Sequence, residues 1–208
     1  MGEPSGDDRS SVWTVRTGEP SDRDRIRALW LEVFGRTTDM TAWIGAAFDG
    51  GDGADGRPVD PDDVEAFVAV DGEDVPVAFT IVALLGPQEA SRYVRGIVPA
   101  DEFPETTAII HMLAVDEGWR DAGVATAVVG RCFDWGDRRA DMMLATLWVR
   151  EDAPDAAPVA AEHDFPPVAR VKGFYREGRL HCPDCGDPCT CEATINVKPF
   201  PETDEGDV

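Results

Sequence analysis

Lysine is nearly absent from this chain. Lys172 and Lys198 are the only lysines, and the other basic residues among the 19 are arginines. Acidic residues number 41, so the formal net charge at pH 7 is -22. No basic stripe exists that could meet the phosphates of a nucleic acid, and the sequence therefore predicts that nucleic acid is not a partner.

Long apolar runs and a signal-like start are also missing. No stretch has the length that crosses a bilayer, and residues 1–11 are polar and acidic. These features predict a cytoplasmic protein that has no membrane partner. With 208 residues the chain is long enough for one domain with a real core. We expect a disordered lead-in at 1–11, one domain at 12–199 and an acidic tail at 200–208.

The excess of acidic residues has two interpretations. One is an acidic face that binds a basic partner. The other is adaptation to very high salt, in which a dense carboxylate surface stays hydrated while its self-repulsion is screened. The acidic residues are spread along the whole chain rather than massed in one segment, which favours the second interpretation. In this respect the chain resembles proteins of salt-loving archaea.

Hydrophobic periodicity predicts an alternating order of strands and helices. The first half should contain a strand at 12–16, a helix that begins near Glu19–Asp22, a short helix at 40–48, and a hairpin of strands 64–70 and 75–84. The second half should contain a long connection at 86–105, a strand at 107–115, a helix at 124–137, a strand at 142–149, an irregular proline-rich stretch at 151–167, a helical turn within 165–177 and a last strand at 192–198.

The segment from 109 to 126 is the most informative stretch of the sequence. An apolar run ends at Val115, a polar turn follows, and Arg120-x-x-Gly123-x-Ala125 leads into an apolar-periodic helix. A loop of this kind directs backbone N–H groups and the positive end of a helix at one point, which is how proteins hold a phosphate or pyrophosphate. The alternative is an ordinary strand-to-helix turn.

This motif resembles the acetyl-CoA signature of the GNAT superfamily of N-acyltransferases, Arg/Gln-x-x-Gly-x-Gly/Ala. Leu113 and Val115 match the Leu-x-Val that ends the family's fourth strand. The resemblance implies an α+β fold with a mixed, mostly antiparallel central sheet flanked by helices. The sheet would splay between its fourth and fifth strands, here 107–115 and 142–149, and hold the cofactor in the gap.

The resemblance also implies how acetyl-CoA, the co-substrate, would be bound. Backbone amides of residues 121–126 would bind the pyrophosphate, and the backbone of Leu113 and Val115 would pair with the pantetheine arm as a strand would. A Cβ at Gly123 would block the close approach of the phosphate. The expected cofactor-binding residues are Leu113, Ala114, Val115, Arg120, Asp121, Ala122, Gly123, Val124, Ala125 and Thr126.

Two side chains are candidates for proton transfer. His111 should share a strand face with Leu113 and Val115, and a near-neutral pKa would suit a general base. Its position before Arg120 resembles that of a histidine in serotonin N-acetyltransferase. The alternative is a core histidine whose ring is hydrogen-bonded to the backbone or to a neighbouring acidic residue. Tyr175 resembles the family's tyrosine acid in the helix after the fifth strand, although it lies one residue nearer Gly178 and Arg179 replaces the usual phenylalanine. Its alternative role is packing.

A cysteine cluster, Cys182-x-x-Cys185-x-x-x-Cys189-x-Cys191, is the second informative feature. The spacing of these thiols predicts a zinc knuckle, in which four thiolates close a structural Zn²⁺ site. A cytosolic chain disfavours stable disulfides. Disulfide or redox pairing, an iron–sulfur site, and His181 in place of one cysteine remain open, and the typical family member lacks this insertion.

The features above support two hypotheses about function. The first is an acetyl-CoA-dependent N-acetyltransferase that acts on a small-molecule or protein amine by direct attack in a ternary complex. The second is a non-catalytic, zinc-stapled module that binds acyl-CoA or a protein partner. The identity of the amine cannot be read from the sequence, and a homodimer, common in the family, stays open.

Overall fold

The computed structural model describes residues 12–34, 41–49, 60–150, 155–176, 182, 184–186 and 188–201. The expected lead-in at 1–11 lies outside the described residues, as do Gly178, Arg179 and His181 and the tail from 202 onward. Of the segment assigned to the tail, Phe200 is described, and it packs beside Phe133 on the domain. Within the described residues, no helix has the length and apolar character needed to cross a membrane.

Seven strands form one mixed sheet in the order β1-β2-β3-β4-β5-β7-β6. Every neighbouring pair is antiparallel except β4 with β5. The expectation of a mixed, mostly antiparallel sheet is confirmed. The strands are β1 Thr14–Thr17, β2 Val64–Val70, β3 Pro76–Leu85, β4 Thr107–Val115, β5 Met142–Val149, β6 Pro167–Lys172 and β7 Glu192–Pro199.

Helices cover both faces of the sheet, and each face has its own apolar layer. On one side Ile26, Leu29 and Trp30 pack against Ile81 and Met112 of the central strands. The other layer lies between the opposite face and the helix after β4. The helices are α1 Arg23–Phe34, α2 Thr41–Asp49, α3 Pro87–Tyr93, α4 Val124–Gly136 and α5 Ala157–Glu162.

The expected hairpin is formed by β2 and β3. The side chain of Asp71 accepts hydrogen bonds from the N–H groups of Glu73 and Val75, at 2.9 and 3.0 Å. Asp74 has φ 61°, which the tight turn requires. Because β3 is central and covered on both faces, its residues from Pro76 to Ala83 are all buried.

Three short elements correct the sequence expectations. The connection at 86–105 is not a plain loop, since it contains α3, which begins with Gly86 as N-cap and Pro87 in its first turn. The stretch at 151–167 contains α5. The helical turn expected within 165–177 is instead strand β6 and a turn that follows it. As an edge strand, β6 tolerates Pro167 at its first position.

The parallel pair β4–β5 has the greatest consequence for function. Thr107–Ile110 pair with Met142–Ala145, and the pairing stops there. Beyond this point β4 continues to pair with β3, and β5 continues to pair with β7. The two strands therefore part, as the family resemblance implied, and a gap opens in the sheet beside His111.

Candidate active site

A cavity of about 900 Å³ occupies the gap between β4 and β5. Its walls come from α1, α3, both parting strands, the loop before α4, the α5 region and the turn after β6. The parting of the strands leaves one backbone edge of β4, from His111 to Val115, without pairing to β5. An extended ligand could therefore add to this edge as a strand does.

The loop before α4 forms one end of the cavity. Asp121 has φ 61°, and Gly123, the N-cap of α4, has φ 75°. The N–H groups of the first helical turn have no partner four residues back, so they are available to an anion. A Cβ built on Gly123 would meet no atom within 4 Å. Glycine is thus required here by its backbone angle, and the space beside it is open.

The expected cofactor-binding residues are brought together at this end. All of them except Ala122 line the cavity. Trp119 lines it as well, just before Arg120. Nearby, a ring nitrogen of His163 is hydrogen-bonded to the Thr126 carbonyl oxygen at 2.9 Å, and the ring stacks on Phe133.

His111 sits at a β-bulge. Ile81 pairs with Met112 and Val82 pairs with Ile110, so His111 has no partner on β3. A bulge changes the side of the sheet toward which a side chain points. The ring of His111 lies 4.8 Å from that of Trp43 and 5.7 Å from that of Tyr93, on the α1–α2 side.

This geometry corrects two expectations about His111. Leu113 and Val115 pack on the α4 side instead, so the expected common face is wrong, although all three residues line the cavity. Burial lowers the pKa of His111 to about 3, rather than leaving it near neutral. Both ring nitrogens are buried without a hydrogen-bond partner. The ring is therefore neutral at physiological pH.

Both tyrosines of the chain line the cavity. Tyr175 lies in the turn after β6 and not in a helix. Tyr93, on α3, donates to the carbonyl oxygen of Ile110 at 3.3 Å and accepts from the Thr146 hydroxyl at 3.2 Å. Burial, reinforced by Tyr93 and Cys189, raises the pKa of Tyr175; burial also raises the pKa of Tyr93. Both phenols are therefore protonated at neutral pH and able to donate.

Several cavity residues were not identified from the sequence. Tyr93 was missed because α3 was taken as loop, although Gly86-Pro87 followed by Glu89 is a helix-start signal. Trp30 and Trp148 also line the cavity. Arg150, directly after β5, carried no sequence signal for a binding role.

The four clustered cysteines converge in space. Their sulfur atoms all lie within 4.8 Å of one another, and this group could hold a metal ion. Cys182 and Gly186 exchange two backbone hydrogen bonds, at 3.2 and 2.9 Å, around a turn in which Gly186 has φ 78°. A hydrogen bond from the Thr190 N–H lowers the pKa of Cys185 to about 6. Burial instead raises the pKa values of Cys189 and Cys191, so Cys185 is the more readily deprotonated of these three thiols.

The buried state of His111 makes a prediction about pH dependence. Its pKa is lower in the folded protein than in the unfolded chain, so the unfolded chain takes up the proton first and stability falls as pH falls below about 6.5. Relative to His111→Gln, the wild type should lose about 2 kcal/mol between pH 6.5 and 5, at about 1.4 kcal/mol per pH unit.

Urea unfolding at each pH measures this difference. An imidazole NMR signal of His111 that stays constant down to pH 5 would agree with it. Parallel pH profiles for the two proteins, or a mid-range titration of that signal, would contradict the burial of a neutral ring.

Comparisons with known proteins agree with this architecture. The family model described as Acetyltransferase (GNAT) family matches residues 27–165. The fold is similar to Arabidopsis thaliana NAA60 in complex with acetyl-CoA, with a TM-score of 0.64, 17% identity, and coverage of 90% of this chain and 98% of that one. No curated protein matches the sequence.

Two further solved structures show the same fold. The ribosomal-protein-S18-alanine N-acetyltransferase from Escherichia coli has a TM-score of 0.60 at 12% identity, covering 95% of this chain and 99% of that one. Mosquito arylalkylamine N-acetyltransferase like 5b has a TM-score of 0.60 at 11% identity, covering 91% and 100%. The family match extends over more than half of the sequence, and the chain belongs to the GNAT acetyltransferase family.

Proposed function

We propose that this protein is an N-acetyltransferase that moves an acetyl group from acetyl-CoA to a primary amine by direct attack in a ternary complex. One observation carries the proposal. The helix start at Gly123 and the unpaired edge of β4 meet in the same cavity. That combination offers an anion site and a strand edge side by side, which suits a ligand made of a pyrophosphate and an extended amide-bearing arm.

The cofactor would lie along the gap between β4 and β5. Its pyrophosphate would accept hydrogen bonds from the first-turn N–H groups of α4. Its pantetheine amides would pair with the β4 backbone near Leu113 and Val115. The thioester would then lie toward the closed end of the gap, where His111, Tyr93 and Tyr175 line the cavity.

Acetyl transfer from a thioester to an amine requires few side chains of the protein. The neutral amine nitrogen attacks the thioester carbonyl carbon, a C–N bond forms, and the C–S bond breaks. The amine nitrogen loses one proton and the leaving thiolate gains one, so the products are an N-acetyl amide and free coenzyme A. Holding the two reactants together supplies much of the rate enhancement.

Tyr175 is the proposed acid for the leaving thiolate. Its raised pKa keeps the phenol protonated at neutral pH, so a hydrogen-bonded proton is in place for the leaving thiolate as the C–S bond breaks. Tyr93 is less available, because its proton already points to the Ile110 carbonyl oxygen. His111, with its low pKa, suits a role as a hydrogen-bond acceptor for the amine or a water rather than as a base that removes a proton from an ammonium.

A pair of glycine variants tests the cofactor site. Gly123 and Gly96 have φ of 75° and 70°, and a Cβ on either would meet nothing within 4 Å. An alanine should strain each backbone by a similar amount, about 1 kcal/mol. Only Gly123→Ala puts a methyl group where the pyrophosphate would lie, so it alone should weaken coenzyme A binding, by at least about tenfold.

Calorimetry with coenzyme A in concentrated KCl, which the expected salt adaptation calls for, measures the affinity of both variants. Urea unfolding measures their stability. Equal affinity in Gly123→Ala and Gly96→Ala would contradict the placement of the cofactor.

The proposed acid is tested by Tyr175→Phe and Tyr93→Phe, which each remove one hydroxyl from the cavity. Tyr175→Phe should lower kcat by about 100-fold, as loss of a general acid does, and leave coenzyme A affinity unchanged. Tyr93→Phe should lower kcat much less. The measurement is the rate of N-acetyl product formation from a panel of amines.

A large loss in Tyr93→Phe with none in Tyr175→Phe would assign the acid to Tyr93 instead. If coenzyme A binds but the wild type acetylates no amine, the alternative function, a non-catalytic binding module, takes the place of the enzyme.

We also propose that the cysteine cluster holds a structural zinc ion. Four sulfurs placed about 2.3 Å from one tetrahedral ion lie about 3.8 Å apart. Sulfur separations of 3.6 Å for Cys182–Cys191 and Cys185–Cys191 and 3.7 Å for Cys185–Cys189 are close to that value. With all four thiolates engaged, the ion would have no open position for catalysis.

Native mass spectrometry should find one zinc per chain. Serine at Cys182 and Cys185 should abolish binding and lower the thermal midpoint, because metal binding is coupled to folding of the turn. Cys132→Ala is the matched control, since Cys132 is buried in α4 away from the cluster. Metal-free protein that keeps full thermal stability would contradict the zinc assignment.

A further inference from the structure

Arg150 is a buried arginine on the cavity wall with one unsatisfied donor. It follows directly after β5, and its side chain is 7% exposed. Nη2 donates to the Val33 carbonyl oxygen at 3.2 Å, and Nε lies 3.6 Å from a carboxylate oxygen of Asp184. Nη1 is buried and has no hydrogen-bond partner among the residues that the structure describes. A buried donor left without a partner is unfavourable, so this group is suited to receive an oxygen from a ligand.

The guanidinium lies against two neighbouring aromatic rings. Its central carbon lies 4.8 Å from the ring centre of Trp148 and 5.7 Å from that of Phe34. Stacking on aromatic faces suits the planar guanidinium of arginine, and it fixes the direction of the N–H donors before any ligand arrives. An arginine positioned in this way can recognise a carboxylate with little loss of side-chain entropy.

The same end of the cavity carries a continuous aromatic wall. The rings of Trp30 and Phe34 stack at 4.0 Å, those of Phe34 and Trp148 lie 5.7 Å apart, and those of Trp148 and Tyr175 lie 5.1 Å apart. All four residues line the cavity. Rings at such spacing present an apolar surface. This surface fits an aromatic or apolar side chain better than a polyamine, whose methylene groups alternate with charged ammonium groups.

Arginine side chains line this part of the cavity, although the protein as a whole is strongly acidic. The chain has 41 acidic and 19 basic residues, yet three arginines line this end: Arg92, Arg95 and Arg150. Arg92 is paired with Glu89 at 2.6 Å, and Arg95 lies over the Phe174 ring at 5.0 Å. The carboxylates among the described lining residues are Asp121, Asp155 and Glu162, and Asp184 faces the Nε of Arg150.

We infer that the acetyl acceptor is an amino carboxylate with an aromatic or apolar side chain, whose carboxylate is bound by Arg150 and whose body packs on the aromatic wall. This inference rests on the proposed acetyl transfer, because it concerns the acceptor of that reaction. It distinguishes this protein from enzymes that acetylate cationic polyamines, because the arginines here would repel a positively charged acceptor. It also disfavours the α-amine of a peptide, in which the neighbouring carboxyl group is an uncharged amide.

Three acceptors of matched shape test the inference on the full-length wild type. Phenylalanine carries the carboxylate, phenylalaninamide replaces it by an amide, and phenethylamine lacks the group. Product formation is followed by mass spectrometry, and rates are corrected for the neutral fraction of each amine. The expected kcat/KM for phenylalanine exceeds that for either analogue by at least about tenfold, since recognition of a charged group by a buried partner is strongly selective.

Arg150→Met should remove most of this preference by raising KM far more for phenylalanine than for phenethylamine. Arg150→Lys should retain the preference for phenylalanine only in part, because lysine lacks the planar guanidinium whose paired N–H donors match a carboxylate. Arg170→Met is the matched control, since Arg170 is an exposed arginine on β6 outside the cavity. It should keep the wild-type preference.

Calorimetric binding of phenylalanine to the coenzyme A complex gives a readout that does not depend on turnover. Binding that is at least tenfold tighter than that of phenylalaninamide, and that is lost in Arg150→Met, supports the inference even where no acetylation occurs and the proposed function fails. Equal or reversed preference among the three acceptors, acetylation of spermidine or peptide amines ahead of phenylalanine, or a preference that survives in Arg150→Met overturns it.

Discussion

The early end of pairing between β4 and β5 is the constraint on which the rest of the site depends. Four residues of each strand pair, from Thr107 and from Met142, and then the strands diverge. A sheet normally satisfies its backbone groups by continuous pairing, so a gap in its middle leaves donors and acceptors of β4 open to a ligand. The gap also provides the volume of the cavity, and it lets α4 begin beside the open edge.

Polar groups left without partners concentrate in this same region. Both nitrogens of His111 and one nitrogen of Arg150 are buried without hydrogen bonds. Each such group lowers the stability of the empty protein. These groups surround one cavity. Such an arrangement is expected where a protein is less stable than it could be because a ligand, and not the protein, completes the hydrogen bonds.

The cysteine cluster lies beside the part of the cavity that contains Arg150 and Tyr175. Asp184, between Cys182 and Cys185, lies against Arg150, and Cys189 is close enough to Tyr175 to affect its pKa. A metal ion that fixed this turn would therefore also fix the arginine and the phenol. This arrangement explains how the proposed acid can come from a turn after β6, although family resemblance placed it in a helix after the fifth strand.

Much of the scaffold could be predicted from the sequence, but the acceptor end could not. Strands β2, β4 and β5 were predicted with their observed bounds, because long apolar runs between turn signals leave little choice. The turn that leads into α4 at Gly123 was predicted from its motif. Helices α3 and α5 have seven and six residues, too few for a clear helical period, and β6 is a half-exposed edge strand with Pro167.

The bulge at His111 could not be predicted either. It depends on how β3 and β4 pair rather than on either strand alone, and it decides which side the histidine faces. The burial of Arg150 likewise results from three elements that are distant in sequence, since Val33, Trp148 and Asp184 surround it.

The acidic surface and the arginine-lined cavity are compatible because screening acts differently on them. Under the high-salt conditions that the composition suggests, the Debye length is short, about 3 Å at 1 M ionic strength. Exposed carboxylates then exert little electrostatic force on a ligand that is not in direct contact with them. A guanidinium buried against Phe34 and Trp148 is screened far less. Recognition of an anionic acceptor would then depend on the buried arginine and hardly on the net charge of the chain.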